Sequence, residues 1–219
     1  NNSFKDRMEI ISTVDYYAEG FLDHETDLVI SLVPQIQMKT IEVVTISAFV
    51  SNRDIGKILL ALNNLDKKRN KKLLKKSLPR IMSPELFFVD YKAENDRAVI
   101  EDLCDKLEKK GYVNKEFKDS VHKREDIVPT SFEQGLAIPH PLQLESLESK
   151  IVIALLEEPI HWGNYDVSLV MLLAINEQDR HILWSFFEWL SEYSSDKESI
   201  LLLTETQDYE SFLELILKD

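Results

Sequence analysis

His140 stands between Pro139 and Pro141 at the end of a short apolar run, Leu136-Ala137-Ile138. Proline cannot donate to a ladder and restricts the residue before it, so the run is expected to be a brief buried strand that stops there. An imidazole on a stiffened backbone where a sheet ends has two readings: a site residue of an α/β protein, or a histidine that caps a strand. Two further residues suit anions. Arg124 continues the stripe Phe117, Ser120, Val121 at the seventh step of an expected helix. Its planar fork fits phosphate oxygens; alternatively its stem lies along the core and its head reaches water. His181 falls in the first turn of another expected helix, off the core stripe of Leu183, Phe186, Phe187 and Leu190. Unpaired N–H groups at a helix start favour an anion, whereas the nearby Glu177 and Asp179 oppose one.

The elements that must position these residues follow from periodicity. Ile151–Leu156 and Val167–Ile175 are almost wholly apolar and are expected to be the centre of a sheet, with a further strand at Glu85–Val89. A helix from about residue 94 to 110 carries Ile100, Leu103, Cys104 and Leu107 on one face and ends at Gly111. The lone Cys104 is thus a core residue, and one cysteine excludes an internal disulfide. The next helix begins near Asn114, a good cap. At the C-terminus, Ser195-Asp196-Lys197-Glu198 has the form of a capping box, and Tyr209, Phe212, Leu213 and Ile216 stripe a last helix. Before residue 67, short β-branched runs at Met8–Ile11, Asp27–Val33 and Ile41–Ile46 precede a helix opened by Ser51-Asn52-Arg53-Asp54. Such alternation suggests a small parallel sheet.

Composition sets the class. With 44% hydrophobic and 30% charged residues over 219 positions, the chain is soluble and well able to bury a core. No apolar run approaches a membrane span of roughly 18 residues, and a cytoplasmic setting is expected. The chain opens Asn-Asn-Ser without a methionine and is expected to be part of something longer. A net charge of −13 argues against a whole-surface nucleic-acid binder. The exception is residues 67–80, where Lys67, Lys68, Arg69, Lys71, Lys72, Lys75, Lys76 and Arg80 occur without an acid. This is a solvated helix end and interdomain linker, or a tether for RNA, DNA or an acidic partner. No Walker loop, dinucleotide fingerprint, serine elbow or zinc spacing is present.

Two resemblances give these patterns a setting. Asp-Leu-Val-Ile-Ser-Leu-Val-Pro (27–34), Val-Thr-Ile-Ser (44–47) and Asp54-Ile55 resemble the later half of an enzyme IIB domain of the sugar phosphotransferase system. That family's phosphorylated cysteine has no counterpart, because the first cysteine here is Cys104. Residues from about 82 to 219 resemble an enzyme IIA domain of the fructose–mannitol type. The matching motifs are Lys-Gly-Tyr-Val (110–113), Arg124-Glu125 with Pro129-Thr130, Ala-Ile-Pro-His (137–140), and Asn176 with His181-Ile182. The resemblances imply an α/β fold: residues 1–66 as a partial, parallel-sheet IIB-like domain, 67–81 as a basic linker, and 82–219 as a IIA domain with a mixed central sheet flanked by helices.

The second resemblance also implies roles. His140 becomes the phosphoryl acceptor, His181 a charge-assisted donor and Arg124 a clamp, with neither cofactor nor metal called for. The donor would be the phosphocarrier HPr. The order IIB-like then IIA-like resembles the C-terminal end of transcriptional antiterminators and activators that carry PTS regulation domains and DNA- or RNA-binding modules upstream. This fragment itself is then expected to bind no nucleic acid and no membrane, and the sequence leaves room for a homodimer. The alternatives are a IIA component that passes phosphate on to an enzyme IIB, and an interaction domain that is never phosphorylated. Glu133, where relatives usually have glycine, favours the last by adding negative charge near the expected phosphate.

Overall fold

The structure is a computed structural model that describes residues 4, 7–15, 26–34, 38, 41–193 and 197–218. His24, Ser195 and Asp196 lie outside them, so the expected capping box at 195–198 does too. The chain divides into two compact units, residues 1–70 and 71–219.

In the first unit, β1 (Leu28–Ser31) runs parallel to β2 (Glu42–Thr45), with Val29 opposite Val43 and Ile30 opposite Val44. Helix α1 (Asn52–Ile81) follows, and its early residues Ile58, Ala61 and Leu62 pack with Val44 and Phe4. Its start is a reciprocal cap: Ser51 N–H donates to the Asp54 carboxylate, and Asp54 N–H donates to Ser51 Oγ. Hydroxyl donation from Ser47 and Ser51 holds the Asp54 carboxyl well below the usual carboxylate range. Met8–Ile11, expected as a strand, is not one. It joins neither described sheet: Met8 packs against the cluster of Val44 and Ile58, while Ile10 and Ile11 are exposed, so β-branched composition alone did not make a strand. The basic residues from 67 to 80 lie on the later turns of α1.

The second unit is built on a five-stranded mixed sheet in the order β3-β6-β7-β5-β4. These strands are β3 (Phe87–Tyr91), β4 (Ser131–Phe132), β5 (Leu136–Ala137), β6 (Glu145–Trp162) and β7 (Tyr165–Asn176). The long β6–β7 hairpin forms its centre, as the apolar runs suggest, but both strands exceed those runs. Residues 145–150 and 157–161 are mostly polar and extend the hairpin past the covered part of the sheet.

The near-continuous apolar character of the hairpin has a direct cause. Ile151, Ile153, Leu155, Leu169, Met171, Leu173 and Ile175 face one side, while Val152, Ala154, Val170, Leu172 and Ala174 face the other. Both sides are covered, which gives three layers. One cover is α2 (Asp96–Lys109) and α3 (Glu116–Ile127). The other is the end of α1 (Leu74, Leu78, Ile81) with α4 (Arg180–Tyr193), α5 (Lys197–Thr204) and α6 (Tyr209–Leu217). Cys104 is buried on α2, and burial pushes its thiol up to about 12. The expected α/β class with a mixed central sheet is the one observed. Among the described residues no helix is long and apolar enough to cross a membrane.

Candidate functional site

The site forms where α3, β5 and α4 converge at one end of the sheet. Asn114 caps α3 by accepting from Phe117 N–H at 3.1 Å, which sets the phase of the helix. Phe117 and Val121 are then buried, and Arg124 follows on the same stripe near the C-terminus. Pro129 ends the helix by forcing Val128 into extended backbone at φ −155° and ψ 126°.

His140 arrives from the other side. Ile138 N–H donates to Thr130 carbonyl at 3.1 Å, and Leu173 N–H donates to Pro139 carbonyl at 2.9 Å. The segment leaving β5 is therefore tied on both flanks, and the ring has little freedom. The Phe187 ring of α4 meets it edge-on with centroids 5.9 Å apart.

The imidazole makes two polar contacts that together fix its tautomer. Nδ1 lies 2.8 Å from the Ile138 carbonyl, which can only accept, so Nδ1 carries the proton. Nε2 lies 3.2 Å from Arg124 Nε–H, which can only donate, so Nε2 presents its lone pair. Arg124 Nη1 also donates to Val128 carbonyl at 2.8 Å, which anchors the fork at the end of its own helix. Burial lowers the proton affinity of His140 and the Arg124 charge adds to this, while the Ile138 carbonyl and Glu125 oppose it. The net shift is downward, so the ring is neutral at pH 7.

Two of the three expected residues, Arg124 and His140, are thus hydrogen-bonded to each other. His181 is exposed in the first turn of α4, the helix that supplies Phe187, and no hydrogen bond links it to His140 among the described residues. The acids expected to repel an anion there are each paired. Arg180 donates twice to Glu177, at 2.8 and 2.7 Å, and Arg80 donates to Asp179 at 2.8 Å. Glu133 sits exposed in the β4–β5 turn, whereas His140 follows the far end of β5. The carboxylate whose charge raises the proton affinity of His140 is Glu125.

Glu125 appears in the sequence only as part of a motif, and its role is what sequence reasoning missed. It is buried, and it accepts from Thr130 N–H at 2.7 Å, Thr130 Oγ1 at 2.8 Å and Trp162 Nε1 at 2.6 Å. Ser131 Oγ donates to Trp162 carbonyl at 2.6 Å, so the tip of the β6–β7 hairpin is fastened to the loop after α3. His161 pairs with Asp166 on an exposed part of that hairpin, away from this network. No group of three His, Cys, Asp or Glu among the described residues forms a metal cluster.

The sequence model of the phosphoenolpyruvate-dependent sugar phosphotransferase system EIIA 2 family matches residues 80–219. The chain belongs to that family. A probable licABCH operon regulator of Bacillus subtilis (strain 168) is 27% identical over 208 residues, 94% of this chain and 31% of the relative. The transcriptional regulator ManR of the same organism is 30% identical over 189 residues, 86% of this chain and 29% of the relative. The chain thus spans about a third of the length of these two relatives. Multiphosphoryl transfer protein 1 of Escherichia coli (strain K12) is 31% identical over 142 residues, 62% of this chain and 17% of that protein. Enzyme IIAMTL of Escherichia coli, solved in complex with phosphorylated enzyme IIBMTL, shares the EIIA fold with a TM-score of 0.54 at 22% identity, over 63% of this chain and 97% of that one.

Proposed function

We propose that the chain is the sensory phosphoacceptor module of a sugar-responsive transcriptional regulator, phosphorylated on His140 by the phosphocarrier HPr in the cytoplasm. The observation that carries this reading is the Arg124–His140 pair, with the proton committed to Nδ1 and the lone pair to Nε2. The similarity to two Bacillus subtilis regulators over most of the chain supplies the regulatory setting.

The geometry suits phosphoryl transfer. The Nε2 lone pair attacks the phosphorus of phosphohistidine on HPr, the N–P bond to the carrier breaks, and a new bond to Nε2 forms. No proton has to leave His140, because the attacking nitrogen carries none. Arg124 Nε–H, which rests on that lone pair, turns to an equatorial phosphoryl oxygen while Nη1 stays on Val128. His181 reaches the group from the start of α4 as a second donor once the carrier docks. In this scheme the upstream regulatory and nucleic-acid-binding domains belong to the parent chain.

The test uses phosphoenolpyruvate, enzyme I and HPr with the wild type and His140→Ala. An acid-labile label on the wild type that disappears in the variant is expected. A label that survives the substitution overturns the His140 assignment, and no label at all favours an interaction domain. The second reading, a IIA component that passes phosphate to an enzyme IIB, is favoured by the similarity to the multiphosphoryl transfer protein. Chasing the labelled chain with an enzyme IIB separates the two: rapid loss of label to a IIB cysteine supports the carrier.

A further inference from the structure

Glu125 is a buried carboxylate whose position is more than structural. Three hydrogen-bonded links lead from it to the acceptor ring. It takes Thr130 N–H and Oγ1, Thr130 carbonyl takes Ile138 N–H, and Ile138 carbonyl takes the Nδ1–H of His140. Each link restricts the next, so the carbonyl that selects the tautomer is held by a chain ending on a charge.

That charge also matters for the reaction. Attack through Nε2 with Nδ1–H retained places positive charge on the ring as the N–P bond forms. The charged groups acting on the ring are Arg124, which opposes that charge, and Glu125, which favours it; both come from α3. From α4 the ring meets the Phe187 side chain, and from its own segment the Ile138 carbonyl. A fixed negative charge near a ring that becomes cationic stabilises the transition state more than the ground state.

We propose that Glu125 is a positioning residue for the phosphoacceptor, which holds His140 in the Nδ1–H form through Thr130 and Ile138 and offsets the Arg124 charge as the ring becomes cationic. The proposal rests on the phosphoacceptor reading of His140. Glu125→Gln isolates the charge, because the amide oxygen still accepts from Trp162 and Thr130 N–H while its NH₂ can donate to the Thr130 hydroxyl.

The experiment follows the His140 ring nitrogens by ¹⁵N NMR in the whole chain, with phosphorylation by HPr measured in parallel. In the wild type the Nδ1–H tautomer is expected. In Glu125→Gln the His140 titration midpoint is expected to fall, and phosphorylation to slow by about tenfold or more, less than loss of a direct donor would cause. A wild-type Nε2–H tautomer overturns the proposal without any variant, and so does a folded Glu125→Gln chain with unchanged midpoint and rate. The NMR arm reads His140 whether or not the chain is phosphorylated. Failure of the wild type to take label therefore counts against the phosphoacceptor reading, and an unchanged titration counts against Glu125.

Discussion

Arg124 divides its guanidinium between the Nε2 lone pair of His140 and the carbonyl of Val128. Lysine has one ammonium and no fork, so Arg124→Lys keeps the charge but cannot hold both contacts in one plane. Phosphorylation of that variant by HPr is expected to slow by tens- to hundreds-fold, measured by quenched-flow labelling; a rate within about twofold of wild type would reduce Arg124 to a source of charge. His140 also leaves a mark on stability. His140 titrates below its ordinary value of 6.5 when folded, chiefly because burial disfavours the cation. The unfolded chain therefore takes up the proton first as the pH drops. The contribution is fully present above about 6.5 and is lost as pH falls through the lower folded value. Urea midpoints at pH 7.5 and 5.0 should differ more for the wild type than for His140→Gln; equal differences would mean the ring titrates as freely folded as unfolded. Arg124 and His140 were each legible as candidates, one on an inward helical stripe and one where two prolines end a strand, but each had a structural alternative and only the family resemblance set them together. Glu125 stands in the motif beside Arg124, but its role was not legible, because its partner Trp162 lies at the end of a strand 37 residues away that helical phase cannot see.

At the scale of elements, the site depends on a turn that makes no contact with the ring. The two-residue loop between β6 and β7 begins with Gly163 at φ +64°, a conformation that L side chains resist. A Cβ there would also lie 2.5 Å from Pro129 Cβ, part of a stiff ring on the loop after α3. Gly163→Ala therefore combines backbone strain with a clash and should cost about 2 kcal/mol or more, read from urea unfolding. Since Pro129 follows the Val128 carbonyl that anchors Arg124, label uptake should fall as well. A variant as stable and as fast as wild type would show that the loop yields freely. Periodicity located β6 and β7 but not their ends. The core-facing residues 151–156 and 167–175 announce themselves by composition, whereas the polar ends are strand only because each has the other as a partner. Met8–Ile11 is the converse case, since its β-branched residues found no ladder.

At the scale of the whole molecule, the boundary between the two compact units falls within the residues of α1, and the last turns of that helix belong to the core of the second unit. The expectation drew a basic linker at 67–81 because the charges there are conspicuous. Between them lie Leu74, Leu78 and Ile81, each at most 2% exposed and packed in the cluster that holds α4, α5 and α6. Charge marks the solvated face of a helix, and four leucine and isoleucine residues in fifteen are too sparse to read as core without knowing what lies against them. The EIIA match begins at residue 80, after Leu74 and Leu78. Side chains of this size contribute about 1.5–3 kcal/mol each when fully buried. A fragment of residues 71–219 should therefore be more stable than one of 82–219 by roughly 5 kcal/mol, in urea unfolding followed by tryptophan fluorescence. The shorter piece should retain the Arg124–His140 pair, whose ties run only to α3, β5, β7 and α4, and should take label in proportion to the fraction folded. Coincident unfolding midpoints would mean that the end of α1 lies on the core without stabilising it.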